Sequence, residues 1–235
     1  QRDLLAGLVA SHLDRILIDG SLVAVGMGRN VSAVSHHAVS TTQRRCSFVC
    51  AIGGSYRGGE AMNADHICRR LALRFGGDSE TLYAPAVINE EDLRQQLLAN
   101  DTVRQSLSKA QRADIALVGV GDILEDSNMV RMGWFTSAEI TAVRELGAVG
   151  DIMGYDFVDI YGRPASTPLQ GRVIGLTLDD LRRIPNVIAI ASEPTKVSGI
   201  LGDLRTGAVN TLAATQAIAQ TVLSLAQATE QSPRG

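Results

Sequence analysis

The stretch Val23-Ala24-Val25-Gly26-Met27-Gly28-Arg29-Asn30-Val31-Ser32 decides the fold. A short apolar run ends in a glycine turn, and a helical segment follows. Glycine lets the backbone turn sharply and come close to a ligand. The first amides of the helix have no intrahelical partner and face the space above the strand. Such a turn can hold an anion or a row of hydroxyls. Ile52-Gly53-Gly54 and Val118-Gly119-Val120-Gly121 repeat the device. Three glycine turns after three apolar runs place one cleft at the carboxyl ends of a parallel sheet.

Outward from this stretch, strands and helices alternate. Leu4, Leu5, Leu8, Val9, Leu13, Ile16 and Leu17 fall at helical spacing and mark a first helix before the strand 21–25. A second strand spans 47–52, and a helix runs from about Glu60 to Phe75, closed by Gly76-Gly77. Thr81 to Ala84 reads as a third strand, stopped by Pro85. Two helices follow over 88–100 and 101–112, with Asn89 and Asp101 as caps. Ile115 to Val118 is a continuous apolar run, as expected of a strand buried on both faces. Residues 121–135 look irregular. Thr136-Ser137-Ala138-Glu139 is a capping box.

After Gly150 the pattern changes. Asp151 to Ile160 and Gly162-Arg163-Pro164 read as a strand and turn of a small irregular insert. Arg172 to Leu176 is a further strand, and Thr177 caps a helix to Ile184. The strand 186–191 feeds Pro194, which suits a first helical turn. A strand over 209–212 and a helix over 213–228 complete the alternation. The fold class is α/β, with a Rossmann-like doubly wound parallel sheet. One domain spans 1–229, and 230–235 is a frayed tail.

The 235 residues suffice for one large α/β domain or two small ones. Aromatic content of 4% requires an aliphatic, alanine-rich core. A net charge of −3 argues against a free-standing nucleic-acid binder. The three cysteines, Cys46, Cys50 and Cys68, read as reduced thiols of a cytoplasmic protein. No His or Cys cluster completes a metal set. No stretch is apolar enough to span a membrane, and no signal peptide is visible. The chain begins at Gln1 without Met, which suggests a fragment of something longer.

Lysine occurs only at Lys109 and Lys196. Lys196 stands at a helix start, where the helix dipole favours anions rather than cations. Contact with a ligand oxygen explains it; a surface lysine is the alternative. Tyr155, Phe157 and Asp159 share a face if their segment is a strand, and a carboxylate beside aromatics suits sugar hydroxyls. Asp159 reads equally well as a turn residue before Gly162. Asp122 is a base or a solvated loop acid, and Asp151 a cap or an arginine partner. His36-His37 reads as a solvated helix end. Gly26-Met27-Gly28 lacks the third glycine of the dinucleotide fingerprint, and Walker A spacing is absent. No catalytic constellation or cofactor motif emerges.

In this order the segments resemble the effector-binding domain of SorC/DeoR-type sugar-binding transcriptional regulators. The match spans Leu4 to about Leu225. It is carried by 23–29, 82–86, 114–121 and 184–191 leading to Lys196. Gly147-Ala148-Val149-Gly150-Asp151-Ile152 is its most specific part. The resemblance implies a fold like ribose-5-phosphate isomerase, glucosamine-6-phosphate deaminase and the CoA-transferases. It also implies a sensor rather than a catalyst, with no cofactor. The effector would be a free sugar, polyol or sugar phosphate. DNA would be bound only through an N-terminal helix-turn-helix domain absent from this chain, in a homo-oligomer, a dimer or tetramer.

Carried over by position, Gly26, Met27, Gly28, Arg29 and Asn30 line the sugar or phosphate loop. Gly53, Gly54 and Asn63 form a second wall, and Gly119, Val120 and Gly121 a third. Asp159 and Lys196 contact hydroxyls or a phosphate. Ser192-Glu193 replaces the glycine pair frequent in the family before the lysine. Ala214-Thr215-Gln216 replaces its Thr-Asp-Glu. Both departures lean toward a neutral sugar or polyol. The alternatives are an isomerase or deaminase on the same fold, with Asp122 as base, and a purely structural oligomerisation domain.

Overall fold

A computed structural model describes residues 1–57, 59–153, 156–167 and 169–231. The chain runs through α1 (Arg2–Ile16), β1 (Leu22–Val25), α2 (Arg29–His37), β2 (Cys46–Cys50), α3 (Ala64–Phe75) and β3 (Gly77–Glu80). It continues through α4 (Glu91–Ala99), α5 (Asp101–Ala110), β4 (Ile115–Gly121), α6 (Asn128–Arg131) and α7 (Ser137–Glu145). The rest is β5 (Ala148–Ile152), β6 (Asp156–Asp159), α8 (Leu178–Arg183), β7 (Asn186–Ile190), α9 (Val197–Arg205), β8 (Thr211–Ala213) and α10 (Gln216–Gln231). Short 3-10 turns cover Glu60–Met62, Gln170–Arg172 and Pro194–Lys196.

Six strands pair in parallel in the order β3-β2-β1-β4-β7-β8. The central strands are apolar throughout, and Val23, Ala24 and Val25 are fully buried. Burying one valine stabilises the fold by about 1.5–3 kcal/mol relative to exposure. The chain runs from β1 to β2 and β3 on one side and returns to β4, β7 and β8 on the other. The order therefore reverses between β1 and β4, and a crevice opens there. β4 outlasts the parallel sheet. Its Val120 and Gly121 pair antiparallel with Ile152 and Asp151 of β5, and β5 pairs antiparallel with β6. The insert expected after Gly150 is thus a hairpin that begins earlier, with Gly150 inside its first strand.

Other boundaries moved for local reasons. The third strand is Gly77–Glu80, a polar, largely exposed edge, not 81–84. Gly76 and Gly77 at φ +88° and +100° turn the chain straight back beside Cys46. The last strand starts at Thr211 because the Asn210 side chain takes the preceding ladder position. Its Oδ1 accepts from Val187 N at 2.9 Å, and its Nδ2 donates to Pro185 O at 2.7 Å. Residues 172–176 form no strand among the described residues; their ladder pairing is limited there to the isolated bridges Val87–Val173 and Ile52–Gly175. Asn100, not Asp101, caps α5, accepting from Thr102 N at 3.0 Å. α4 has Glu90 at its cap position rather than Asn89. The capping boxes at Thr136 and Thr177 form.

α1 lies on α2 with Leu5, Val9 and Leu13 buried, while Leu4 and Leu8 remain 75% and 68% exposed. α10 continues to Gln231, so Glu230 is helical, and 232–235 lie outside the described residues. Cys46, Cys50 and Cys68 are free and buried. Among the described residues no helix is long and apolar enough to cross a membrane.

Candidate functional site

The crevice between β1 and β4 forms a cleft open to solvent. Met27, Gly28, Arg29 and Asn30 line it from the first glycine turn. Gly28, at φ +110°, stands at the start of α2, and its amide donates to Met62 O at 3.0 Å. Gly119, Val120, Gly121 and Asp122 line it from the carboxyl end of β4. Lys196 enters from the 3-10 turn after β7. Met129, Met132, Met153 and Trp134 form an apolar wall. Met153 is the only non-glycine residue at positive φ (64°) among the described residues. Such backbone strain clusters at binding sites.

Two of the three glycine turns therefore meet at one place, with Lys196. The third does not. Gly53, Gly54 and Asn63 line a separate cavity with Cys50 and Tyr83. The Asn63 side chain is occupied in holding the loop before α3. Its Oδ1 accepts from Ser55 N at 2.7 Å, and its Nδ2 donates to Ser55 O at 2.9 Å and Gly59 O at 3.0 Å. Gly26 packs beneath the cleft, its amide donating to Leu117 O at 2.9 Å. Asp159 is not among the lining residues either. Its Oδ1 accepts from Tyr161 N at 2.8 Å and Arg163 N at 2.9 Å, so it shapes the turn after β6. Tyr155 lies outside the described residues.

Asp122, read from the sequence as a base or a solvated loop acid, and Asp151, read as a cap or an arginine partner, both line the cleft. Asp122 accepts from Thr195 Oγ1 at 3.2 Å through Oδ2, while its buried Oδ1 has no hydrogen-bond partner among the described residues. Asp151, 1% exposed, presses its carboxylate against Gly121, where any Cβ would collide with it. The family-like segment 147–152 was the signal that could have found Asp151.

Glu193 organises the charges. Its Oε2 is 3.2 Å from Lys196 Nζ and accepts from Asn30 Nδ2 at 2.9 Å; its Oε1 accepts from Arg2 Nη2 at 3.0 Å. Asn30, 4% exposed, accepts in turn from Ser192 Oγ at 2.7 Å and Arg2 Nε at 3.2 Å. Burial alone would raise the Glu193 carboxyl. The adjacent Lys196 charge and the hydrogen bonds from Asn30, Arg2 and Lys196 outweigh it and bring the group down to about 2. Glu193 is thus an anion matched by the donors around it.

Beneath the cleft, Asp203 of α9 is buried with neither carboxylate oxygen hydrogen-bonded among the described residues. Burial, then the Asp151 and Asp156 charges, hold its carboxyl well above the usual range, with Lys196 opposing. An acid raised on folding loses stability as pH rises past its unfolded value, here 3.8. Asp203→Asn is therefore expected to raise the melting temperature more at about pH 8 than at about pH 4. Equal shifts at both pH values would contradict the burial of an ionisable group there.

A family model for sugar-binding domains matches residues 1–224. The chain belongs to this Sugar-bind family. The sugar-binding domain of a transcriptional repressor from Vibrio fischeri is 49% identical, with a TM-score of 0.89 over 96% of this chain and 88% of that one. The full-length sorbitol operon regulator SorC from Klebsiella pneumoniae gives 0.87 at 25% identity, over 95% of this chain and 73% of that one. The transcriptional regulator LsrR of Enterobacter sp. (strain 638) is 28% identical over 223 residues. The match covers 92% of this chain and 66% of LsrR, so the sugar-binding domain spans about two thirds of that relative's length. These relatives are named as regulators or their domains, not as enzymes. The sequence resemblance to SorC/DeoR-type sugar-binding domains and the mixed, mostly parallel α/β sheet agree with this membership.

Proposed function

We propose that the β1–β4 cleft binds a carbohydrate effector, and that its occupancy modulates DNA binding by a longer bacterial transcriptional regulator. The observation that carries this is the donor and acceptor set of the cleft. It brings the first amides of α2 and Lys196 together with the carboxylate of Asp122. Polyhydroxy compounds satisfy both kinds of group at once. The names of relatives such as the sorbitol operon regulator support the same ligand class. DNA contact belongs to a part of the regulator outside this chain, consistent with the net charge of −3. The regulator works in the cytoplasm as a homo-oligomer, for which exposed Leu4 and Leu8 on α1 offer apolar contact.

A thermal-shift panel of free sugars, polyols and sugar phosphates tests this. A ligand at 100 times its Kd stabilises the folded state by about 2.7 kcal/mol. At least one compound is expected to raise Tm, and Lys196→Ala is expected to weaken that binding about tenfold or more. A panel without any shift would overturn the sensor reading. A shift untouched by Lys196→Ala would move the site elsewhere.

A further inference from the structure

Three cations gather on one carboxylate at the rim of the cleft. Arg2 comes from α1, Arg29 from the start of α2, and Lys196 from the turn before α9. Glu193 Oε1 lies 3.0 Å from Arg2 Nη2 and 3.9 Å from Arg29 Nη2, and Oε2 lies 3.2 Å from Lys196 Nζ. Asn30 Nδ2 and the Ser192 amide also donate to Oε2, at 2.9 and 3.2 Å. The carboxylate holds the place, the charge and the donors that an anionic group of a ligand would need.

We infer that Glu193 is a built-in anion that reserves this cationic corner, so that the cleft selects an uncharged polyhydroxy compound over a phosphorylated one. The inference rests on the carbohydrate reading of the cleft and narrows its ligand class. Asp122 lines the cleft beside the ligand. Carboxylates accept hydroxyl protons readily and repel a phosphate dianion. To reach Lys196, a phosphate has to displace Glu193 from four donors, Arg2, Asn30, the Ser192 amide and Lys196 itself, and leave that carboxylate beside it. Like charges brought together in this way act against the wrong partner and so confer specificity. The apolar wall of Met129, Met132 and Trp134 suits the C–H face of a sugar or polyol.

The test is a titration with inorganic phosphate, followed by calorimetry and thermal shift, in parallel with the panel of uncharged sugars and polyols. Wild type is expected to show no phosphate binding at concentrations that saturate Glu193→Gln. The variant is expected to bind phosphate at least about tenfold more tightly, and Glu193→Gln/Lys196→Ala to lose that gain. Wild type binding phosphate as tightly as Glu193→Gln would overturn the inference, as would a gain that survives loss of Lys196. Should Glu193→Gln not fold, wild type and Lys196→Ala decide. Phosphate binding by wild type that Lys196→Ala abolishes overturns the inference, and wild type blind to phosphate supports it. A protein stabilised by no sugar or polyol overturns the carbohydrate reading instead, while the phosphate comparison still decides the role of Glu193.

Discussion

Gly150→Val is expected to destabilise the protein by about 3 kcal/mol or more, and it is expected to disrupt the cleft as well. A Cβ at Gly150 collides with the Cα of Gly199, and a Cβ at Gly199 would stand 2.8 Å from Gly121 O. β4, β5 and α9 therefore touch backbone to backbone, with no flexible side chain between them to yield. Overpacking of this kind costs about 1–3 kcal/mol where side chains can move, and more where backbone has to. The same contact fixes Asp151 at the end of β5 and Lys196 just before α9, so strain there reaches the ligand groups directly. Gly7→Ala is the control. Gly7 lies inside α1 with nothing within 4 Å of a new Cβ, and alanine there should stabilise by roughly 0.5–1 kcal/mol. Urea unfolding followed by circular dichroism reads both. A Gly150→Val protein within about 0.5 kcal/mol of wild type would show that the three backbones are not locked together.

Glu193 is expected to dominate the acid side of the stability curve. Its carboxyl stands at about 2 in the folded protein against an ordinary 4.5. A depressed acid contributes stability that is present above its unfolded value and lost as pH falls through the folded one. The window is therefore from about pH 4.5 down to about pH 2, and the contribution is on the order of 3 kcal/mol. Glu193→Gln should lower stability at neutral pH and flatten that acid limb. A variant with an acid limb as steep as wild type would assign the loss to other carboxylates. Because Arg2 donates to the same carboxylate, the start of α1 should loosen in parallel, visible as faster amide exchange in its first turns.

Much of this architecture was readable from local chemistry. The run 23–30 announces strand, glycine turn and helix within eight residues, and those elements formed in that order. The continuous apolar runs at 115–118 and 187–190 read as strands buried on both faces, and both lie in strands of the parallel sheet. Thr136 and Thr177 marked helix starts because a capping box is closed by residues three positions apart. β3 escaped notice because a Gly-Asp-Ser-Glu edge has no strand propensity of its own. Its pairing is imposed by the turn at Gly76-Gly77 and by the waiting edge of β2. β8 was misplaced by two residues because a side chain, Asn210, imitates the strand's backbone bonds.

The cleft was half legible. Arg29, Asn30, Gly119 and Lys196 belong to turns that follow strands, and parallel topology brings such turns together. Asp151 depends on its approach to Gly121, thirty positions away in sequence and adjacent only through the β4–β5 pairing. Asp159 illustrates the opposite ambiguity. An aspartate before a glycine turn looks the same whether it serves a ligand or the turn, and here its oxygen is taken by turn amides. The Arg2–Glu193 contact spans 191 positions, beyond the reach of any local pattern.

A crystal structure with the tightest-binding member of the sugar and polyol panel tests the central claim most directly. The ligand should lie between the carboxyl ends of β1 and β4, with a hydroxyl within about 3.2 Å of the Asp122 carboxylate and Glu193 still paired with Lys196. A ligand seated instead in the cavity of Gly53, Gly54 and Asn63, or one whose anionic group has displaced Glu193 from Lys196, would contradict this account.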